Sequence, residues 1–503
     1  LCPALRAVLT GEVIETVRVD ANELRCKVVG EGGNLGFTQL ARIEYARGGG
    51  RNDTDAIHNS AGVDTSDHEV NIKICLQPLV SAGEMSVAQR DKLLAEMTPD
   101  VAALVLRDND RQSQALSLAL RSANADLELF SSLLDYLVDS AGLNPQVEYL
   151  PTGKQLDERR RTGVGLTRPE LAVLLAYVKM GLYRRLLETD LPDDEQLERY
   201  LVEYFPALLQ ERVPDAIGKH SLRREITATQ LTNTVVDLLG MEFVHRSVRN
   251  NGATPVEVVR AALIAIELLD ARELAAYLDA AHETLPPQSA YEALGLLSVA
   301  VDGVVSWLLF NNLAGAGIGA LVEAYRQPLR ALRSGLEAYL PAPERRRYKA
   351  AVKDLVKAGH SDEKATAIAG LEYLPAGLGV IEVARTTDVS LDEAAVHFYA
   401  LGDRLSLGSL RDTLAQLPTD DYWEKIAVTG TIMDLRAAQQ NLTHAYVSAL
   451  ADEPRMSIEA FLKHLPSLKR YDAAVSELKV PGALTVAAGS VMARLLAQPI
   501  SVR

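Results

Sequence analysis

From Ser86 onward, apolar residues recur at helical spacing almost without interruption. After Thr167, for example, Leu171, Leu174, Leu175, Val178 and Leu182 fall on one side of a helix and mark a buried face. Helix starts are signalled by a hydroxyl residue followed three positions later by Glu or Gln: Ser86 to Gln89, Thr167 to Glu170 and Ser390 to Glu393. Proline breaks punctuate the pattern at Asn144-Pro145, Leu191-Pro192, Pro286-Pro287, Pro341-Ala-Pro343 and Pro418. No repeat of fixed period stands out, which disfavours a regular solenoid. Residues 86–503 therefore read as a large helical region, with candidate divisions near 286 or 341.

The stretch before it has a different rhythm. Cys26–Val29 is a short β-leaning run that ends in the glycine-rich Gly30–Gly36. Thr38 can then cap a helix through Leu40, Ile43 and Ala46, which stops at Gly48-Gly-Gly50. A second extended segment, Asp55–Ile57, leads into the polar run Asn59–Ser66. There Ser66 and Glu69 form a capping box for a helix carrying Val70, Ile72, Ile74, Cys75 and Leu76. Strand, loop, helix, strand, loop, helix is the rhythm of an α/β layer. The expectation is a mainly α protein with a short α/β, partly Rossmann-like segment over residues 1–85.

Composition narrows the possibilities. With 48% hydrophobic residues the chain can bury sizeable cores, and low aromatic content with abundant Ala and Leu suits helices. Lys and Arg number 52 against 67 Asp and Glu, a net charge of −15, so a broad nucleic-acid-binding surface is excluded. Cys2, Cys26 and Cys75 form no CxxC and have no His at zinc spacing, so neither a disulfide framework nor a structural zinc site is expected. Gly303 to Val322 carries no charge. Its Asn311-Asn312 pair and the glycines 315, 317 and 319 favour a buried helix followed by a turn over a membrane span. No secretory signal is visible, and a cytoplasmic location with no membrane partner is expected. The chain starts at Leu1 in mid-pattern, and so reads as a piece of a longer polypeptide.

Candidate chemistry lies in the two polar loops of the α/β stretch. Gly32 and Gly33 let a backbone approach a ligand, the Asn34 amide can donate and accept at once, and Asn59 sits in the equivalent place after the second segment. Ser66, at a helix start, could hold a carboxylate. Residue type alone favours the plainer readings, the first loop as a tight turn and Ser66 as a plain N-cap. The dinucleotide fingerprint is incomplete, since Leu35 stands where its third glycine belongs. Ser66, Asp67 and His68 are consecutive and cannot form a triad. His58, His68 and Glu69 lack metal-ligand spacing, so no metal is expected. There is no Walker A sequence. The triplets at 159–161 and 345–347 adjoin Asp157, Glu158 and Glu344 and read as ion-pair patches.

Longer stretches add what spacing cannot. Residues 27–45, KVVGEGGNLGFTQLARIEY, and 55–73, DAIHNSAGVDTSDHEVNIK, resemble the end of the cofactor domain of glutamate dehydrogenases. Residues 166–177, LTRPELAVLLAY, and 222–231, LRREITATQL, are similar to the large bacterial NAD-specific members of that family. The resemblance covers essentially the whole chain. It implies oxidative deamination of L-glutamate to 2-oxoglutarate and ammonium with hydride passed to NAD, and a homo-oligomeric assembly. It implies that residues 1–85 are the C-terminal part of an NAD-binding domain, with Gly32, Gly33, Asn34 and Asn59 toward the cofactor. It places Ser66 at the distal carboxylate of the substrate. The family's catalytic lysines and acid/base aspartate precede this domain, so no catalytic residue is assigned here, and the chain alone is expected to be inactive. Asn52 stands where the family pattern has an apolar strand residue, and His58 where it has an acid. The alternative reading is a non-enzymatic helical assembly or regulatory module.

Overall fold

Local signals start the helices. Thr38 accepts a hydrogen bond from the Ala41 amide and opens α1 (Gln39–Arg47), which ends at Gly48. The computed structural model describes residues 19–32, 36–281, 284–418, 422–477 and 484–498. Its contacts divide the chain into two compact units, residues 1–245 and 246–503.

In the first unit, α1 is followed by the short α2 (Asp55–His58), α3 (Ser60–Ser81), α4 (Val87–Glu96) and the long α5 (Thr98–Ala125). Then come α6 (Leu127–Ala141), α7 (Lys154–Thr162), α8 (Arg168–Leu187), α9 (Glu198–Tyr204), α10 (Ala207–Arg212), α11 (Pro214–Gly218) and α12 (Arg223–Leu239). Ser86 and Thr167 make reciprocal capping boxes with Gln89 and Glu170, as their spacing predicts. The expected stripe Leu171, Leu174, Leu175, Val178 and Leu182 is buried. Helix α8 packs on α1, α5, α6 and α12, and α5 also receives α2 and α3. Beneath α3, Ile72, Cys75 and Leu76 join Met97, Leu201, Phe205 and Ile217 in one apolar cluster.

The second unit is built on Tyr422–Asp452, which packs against Leu374–Thr387, Leu391–Arg404, Leu407–Ala415 and Val486–Leu496. Pro287–Phe310 ends before Asn311, so the uncharged stretch at 303–322 is a helix followed by a turn, as the sequence suggested, and a new helix, Ile318–Tyr339, already starts within it. Pro287–Phe310 and Asp362–Thr387 are long and apolar enough to cross a membrane, but 56% and 72% of their apolar windows are buried within the protein. One buried carboxylate gathers charge here. Asp270, in the left-handed region at φ 54°, accepts hydrogen bonds from Arg326, Arg330 and Arg333, which lie along one face of Ile318–Tyr339.

The expected α/β layer is not formed. Among the described residues there is no strand, and the fold is all-helical. Cys26–Val29 contributes only an isolated parallel bridge between Val28 and Arg51, in which Val29 N–H donates to the Arg51 carbonyl and Arg51 N–H to the Lys27 carbonyl, both at 2.9 Å. A parallel strand is normally covered on both faces, whereas Val28 is 65% exposed. Asp55–Ile57, expected as a second strand, lies in the helix α2, with His58 N–H on the Thr54 carbonyl and Asn59 N–H on the Asp55 carbonyl. The residues before it, Asn52, Asp53 and Thr54, are buried polar groups, and Asn52 and Asp53 are tied by side-chain bonds rather than by a ladder. The Rossmann-like reading of this segment is withdrawn on that ground.

Asp270→Asn tests the charge cluster, because Asn tolerates the left-handed backbone as well as Asp does. We expect a loss of about 2 kcal/mol in urea unfolding at pH 7, below the full value for a buried pair because the three arginines stay a quarter to a third exposed. An unchanged midpoint would show that the cluster contributes no net stability.

Candidate functional site

The two loops singled out in the sequence are brought together by buried ions. Glu31, in the first loop, is 5% exposed and receives Arg42 of α1 in a forked pair, Nε to Oε2 at 2.7 Å and Nη2 to Oε1 at 2.9 Å. Its Oε1 also accepts from the Phe37 amide. Arg42 reaches on to Asp55 at 3.2 Å. From α2, just ahead of the second polar run, His58 Nδ1 accepts the Glu31 backbone N–H at 3.1 Å, and His58 Nε2 lies 3.3 Å from Asp53 Oδ2. This geometry sets the tautomer, with the proton on Nε2 facing the carboxylate.

Asp53 is the hinge of the network. Arg168, the first residue of α8, grips it with Nε at 2.5 Å and Nη2 at 3.1 Å, and also donates to Ser117 of α5. Burial alone would raise the Asp53 carboxyl, but hydrogen bonds from His58 and Arg168 overcome it and hold the group below the usual carboxylate range. Asn109 of α5 completes the lock by donating to the Ile57 carbonyl and to Ser60 Oγ, both at 2.8 Å.

Behind this lock lies a cavity of about 420 Å³ lined by Asp55, Ala56, Asn59, Ser60, Val63, Asp64, Asp67, Asp108, Gln112 and Asn233. Asn59 sits at the start of α3, its side-chain oxygen over Gly62, where a Cβ would come within 2.7 Å. Four carboxylates and no Lys or Arg line the cavity among the described residues. Burial, then the charges of Asp108 and Asp67, push Asp64 up to about 6. One turn along α3, His68 is 1% exposed, stacks on Tyr204 with centroids 4.4 Å apart, and has no hydrogen-bond partner on either nitrogen. Burial lowers its pKa and keeps the ring neutral.

The sequence-derived candidates are distributed unevenly over this site. Asn59 lines the cavity. Gly32 is exposed, with open space where a Cβ would stand, in the loop held by Glu31. Gly33 and Asn34 lie outside the described residues. Ser66 does not open a helix. It is inside α3, exposed, and its hydroxyl donates to the Val63 carbonyl at 2.7 Å. The helix starts six residues earlier because Asn59 precedes an unbroken run of i to i−4 bonds, and Ser66 is not among the cavity-lining residues. Sequence reasoning missed Arg168, although it lies in the quoted stretch 166–177, and missed the Asp64-x-x-x-His68 spacing.

Comparison with known proteins matches the chain to two family models. The family model described as bacterial NAD-glutamate dehydrogenase, catalytic domain, matches residues 7–119. The model described as glutamate dehydrogenase, C-terminal, matches residues 163–498. These matches define the class as glutamate dehydrogenase. The NAD-specific glutamate dehydrogenase of Halomonas elongata is 36% identical over 445 residues, 88% of this chain and 28% of that protein. That of Pseudomonas aeruginosa is 36% identical over 468 residues, 92% and 29%. That of Mycobacterium tuberculosis is 34% identical over 486 residues, 95% and 30%. The chain belongs to the family of bacterial NAD-specific glutamate dehydrogenases, as the resemblance of its long stretches implied. It spans less than a third of the length of the curated relatives it matches.

Replacing Arg168 with Met strands Asp53 in a buried place with only His58 as partner. We expect a loss of about 3 kcal/mol at pH 7. Because the folded pKa of Asp53 is depressed, its contribution is present above the unfolded value near ~3.9 and is lost as pH falls through the folded value. Asp53→Asn should therefore flatten the fall of stability below about pH 4, read by urea titrations at several pH values. An unaltered pH profile would remove Asp53 from the acid response.

Proposed function

We propose that this chain is the part of an NAD-dependent glutamate dehydrogenase that supplies the nicotinamide end of the cofactor site and the face toward the substrate. The reaction is L-glutamate, NAD and water to 2-oxoglutarate, ammonium and NADH. The observation that carries this reading is the lock between the two loops: Glu31 N–H on His58, and Arg42 between Glu31 and Asp55, hold Gly32 and Asn59 on neighbouring segments.

The residues present fit one end of NAD and not the other. A pyrophosphate needs cations or helix N-termini, and the cavity offers carboxylates. Asn59, with Gln112 and Asn233, offers amide donors and acceptors of the kind a carboxamide needs, and nearby carboxylates favour a cationic ring. When bound, NAD supplies the hydride acceptor. The chain's own contribution is orientation: Asn59 would hold the carboxamide, Gly32 and Gly33 would allow close backbone approach, the Asn34 amide would contact the cofactor, and Ser66 would turn its hydroxyl from Val63 toward the substrate's distal carboxylate. The groups that move protons belong to polypeptide outside this chain, so the chain alone is inactive. A cytoplasmic homo-oligomer, with the helical region from 86 onward supplying subunit contacts, completes the proposal.

The test is glutamate-dependent NADH formation by the native-length polypeptide beside the chain alone. Activity in the long form only is expected. In the long form, Ser66→Ala should raise KM for glutamate several-fold with KM for NAD unchanged, and Asn59→Ala should do the reverse. A glutamate-dependent rate from the chain alone would overturn the division of labour, and equal effects on both KM values would remove the two residues from these roles.

A further inference from the structure

His68 is an unusual residue in this unit. A fully buried imidazole with both nitrogens unpaired loses the hydrogen bonds it would make in water. The other buried histidines described in this unit are provided for: His220 bonds the Asn71 carbonyl at 3.0 Å and the Leu222 amide at 3.1 Å, and His245 bonds Ser132. His68 instead lies against two carboxylates. Asp64, one turn earlier on α3, has its Oδ1 3.9 Å from His68 Nε2, beyond hydrogen-bond reach. Asp108 of α5 closes the group, and one ligand atom from each of the three residues lies within 4.8 Å of the others.

We propose that Asp64, His68 and Asp108 bind a divalent first-row transition-metal ion, with water from the adjoining cavity filling the remaining positions. Residues at i and i+4 on one helix face supply a two-point chelate, and a residue from a second helix supplies the third point. At metal–ligand distances near ~2.1 Å the donor atoms stand about 3–4 Å apart, so side-chain rotations of under about 1 Å close the site. A neutral imidazole with two carboxylates is a borderline donor set, which favours manganese, iron or zinc over magnesium or calcium. The ion answers two local costs at once. It gives the orphaned imidazole a partner, and it neutralises Asp64 and Asp108, which otherwise repel each other and Asp67. Arg107 touches Asp108 Oδ1 only at 3.5 Å, the long limit of a hydrogen bond, and so leaves the carboxylate available.

The site goes beyond the reading of Asn59 as a cofactor contact and does not rest on it. Five residues, about 7.5 Å of helix rise, separate Asn59 from Asp64. Its test reads the metal and not the reaction. The full chain is titrated with Mn2+ and followed by electron paramagnetic resonance, with pulsed detection of nitrogen coupling, and with Mg2+ as competitor. We expect one tight site with an imidazole nitrogen signal, resistant to excess Mg2+. Asp64→Asn and Asp108→Asn, each with unchanged circular dichroism, should weaken binding by tenfold or more, and His68→Gln should abolish the nitrogen signal. Because His68→Gln alters a buried position, the two Asn variants decide the matter if it does not fold. Absence of Mn2+ binding would overturn the proposal, as would binding unaffected by both Asn variants. Displacement by equimolar Mg2+ without a nitrogen signal would do so as well, since it would mean a carboxylate surface ion only.

Discussion

The site depends on charges buried in pairs. Glu31 with Arg42 and Asp53 with Arg168 are each forks of two hydrogen bonds; the first ties a loop to the helix that follows it, and the second joins segments 115 residues apart. Burying an ion is expensive unless its partner and remaining lone pairs are satisfied, and here they are, by Phe37, Asp55, His58 and Ser117. An apolar core could collapse around these loops in several registers. A directional network accepts only one, and this is what fixes Asn59 relative to the loop that carries Gly32.

That network also explains what was legible in the sequence. Helices with local signals were read correctly: Thr38 to Gly48, the boxes at Ser86 and Thr167, and the stripe from Leu171 to Leu182 all follow from spacing alone. The α/β rhythm was misread because a β-leaning tetrapeptide makes a strand only when neighbours complete a sheet. Cys26–Val29 finds one bridge, and Asp55–His58 satisfies its backbone as a turn of helix. Asn52 and His58 looked like departures from a strand pattern. In the folded chain they belong to a polar junction, where Asn52 bonds the Arg42 carbonyl and His58 links Glu31 to Asp53. Ser66 with Glu69 has a capping-box spacing, yet a helix already under way from Ser60 overrides it, and Glu69 pairs instead with Lys73. Family resemblance was sound because it rests on long stretches that do not depend on reading the local fold correctly.

The acid cavity sets a condition on anything that binds there. Asp55, Asp64, Asp67 and Asp108 face a common space, and burial, followed by the charges of Asp108 and Asp67, raises the proton affinity of Asp64. Such an arrangement is held open only because α3 and α5 are fastened elsewhere, by Asn109 across Ile57 and Ser60 and by the apolar cluster under Ile72 and Leu76. Stability from the core is thus spent on keeping like charges together, and every cation entering the cavity recovers part of that cost. The proposed pyridinium ring beside Asn59 and the proposed metal ion between Asp64, His68 and Asp108 would be two ways of meeting the same electrostatic demand at different heights along α3. An anion has no comparable welcome. Under the proposed function, the carboxylates of a glutamate substrate would therefore be held outside this cavity, on the exposed side of α3 where Ser66 stands, or by cations from polypeptide beyond this chain.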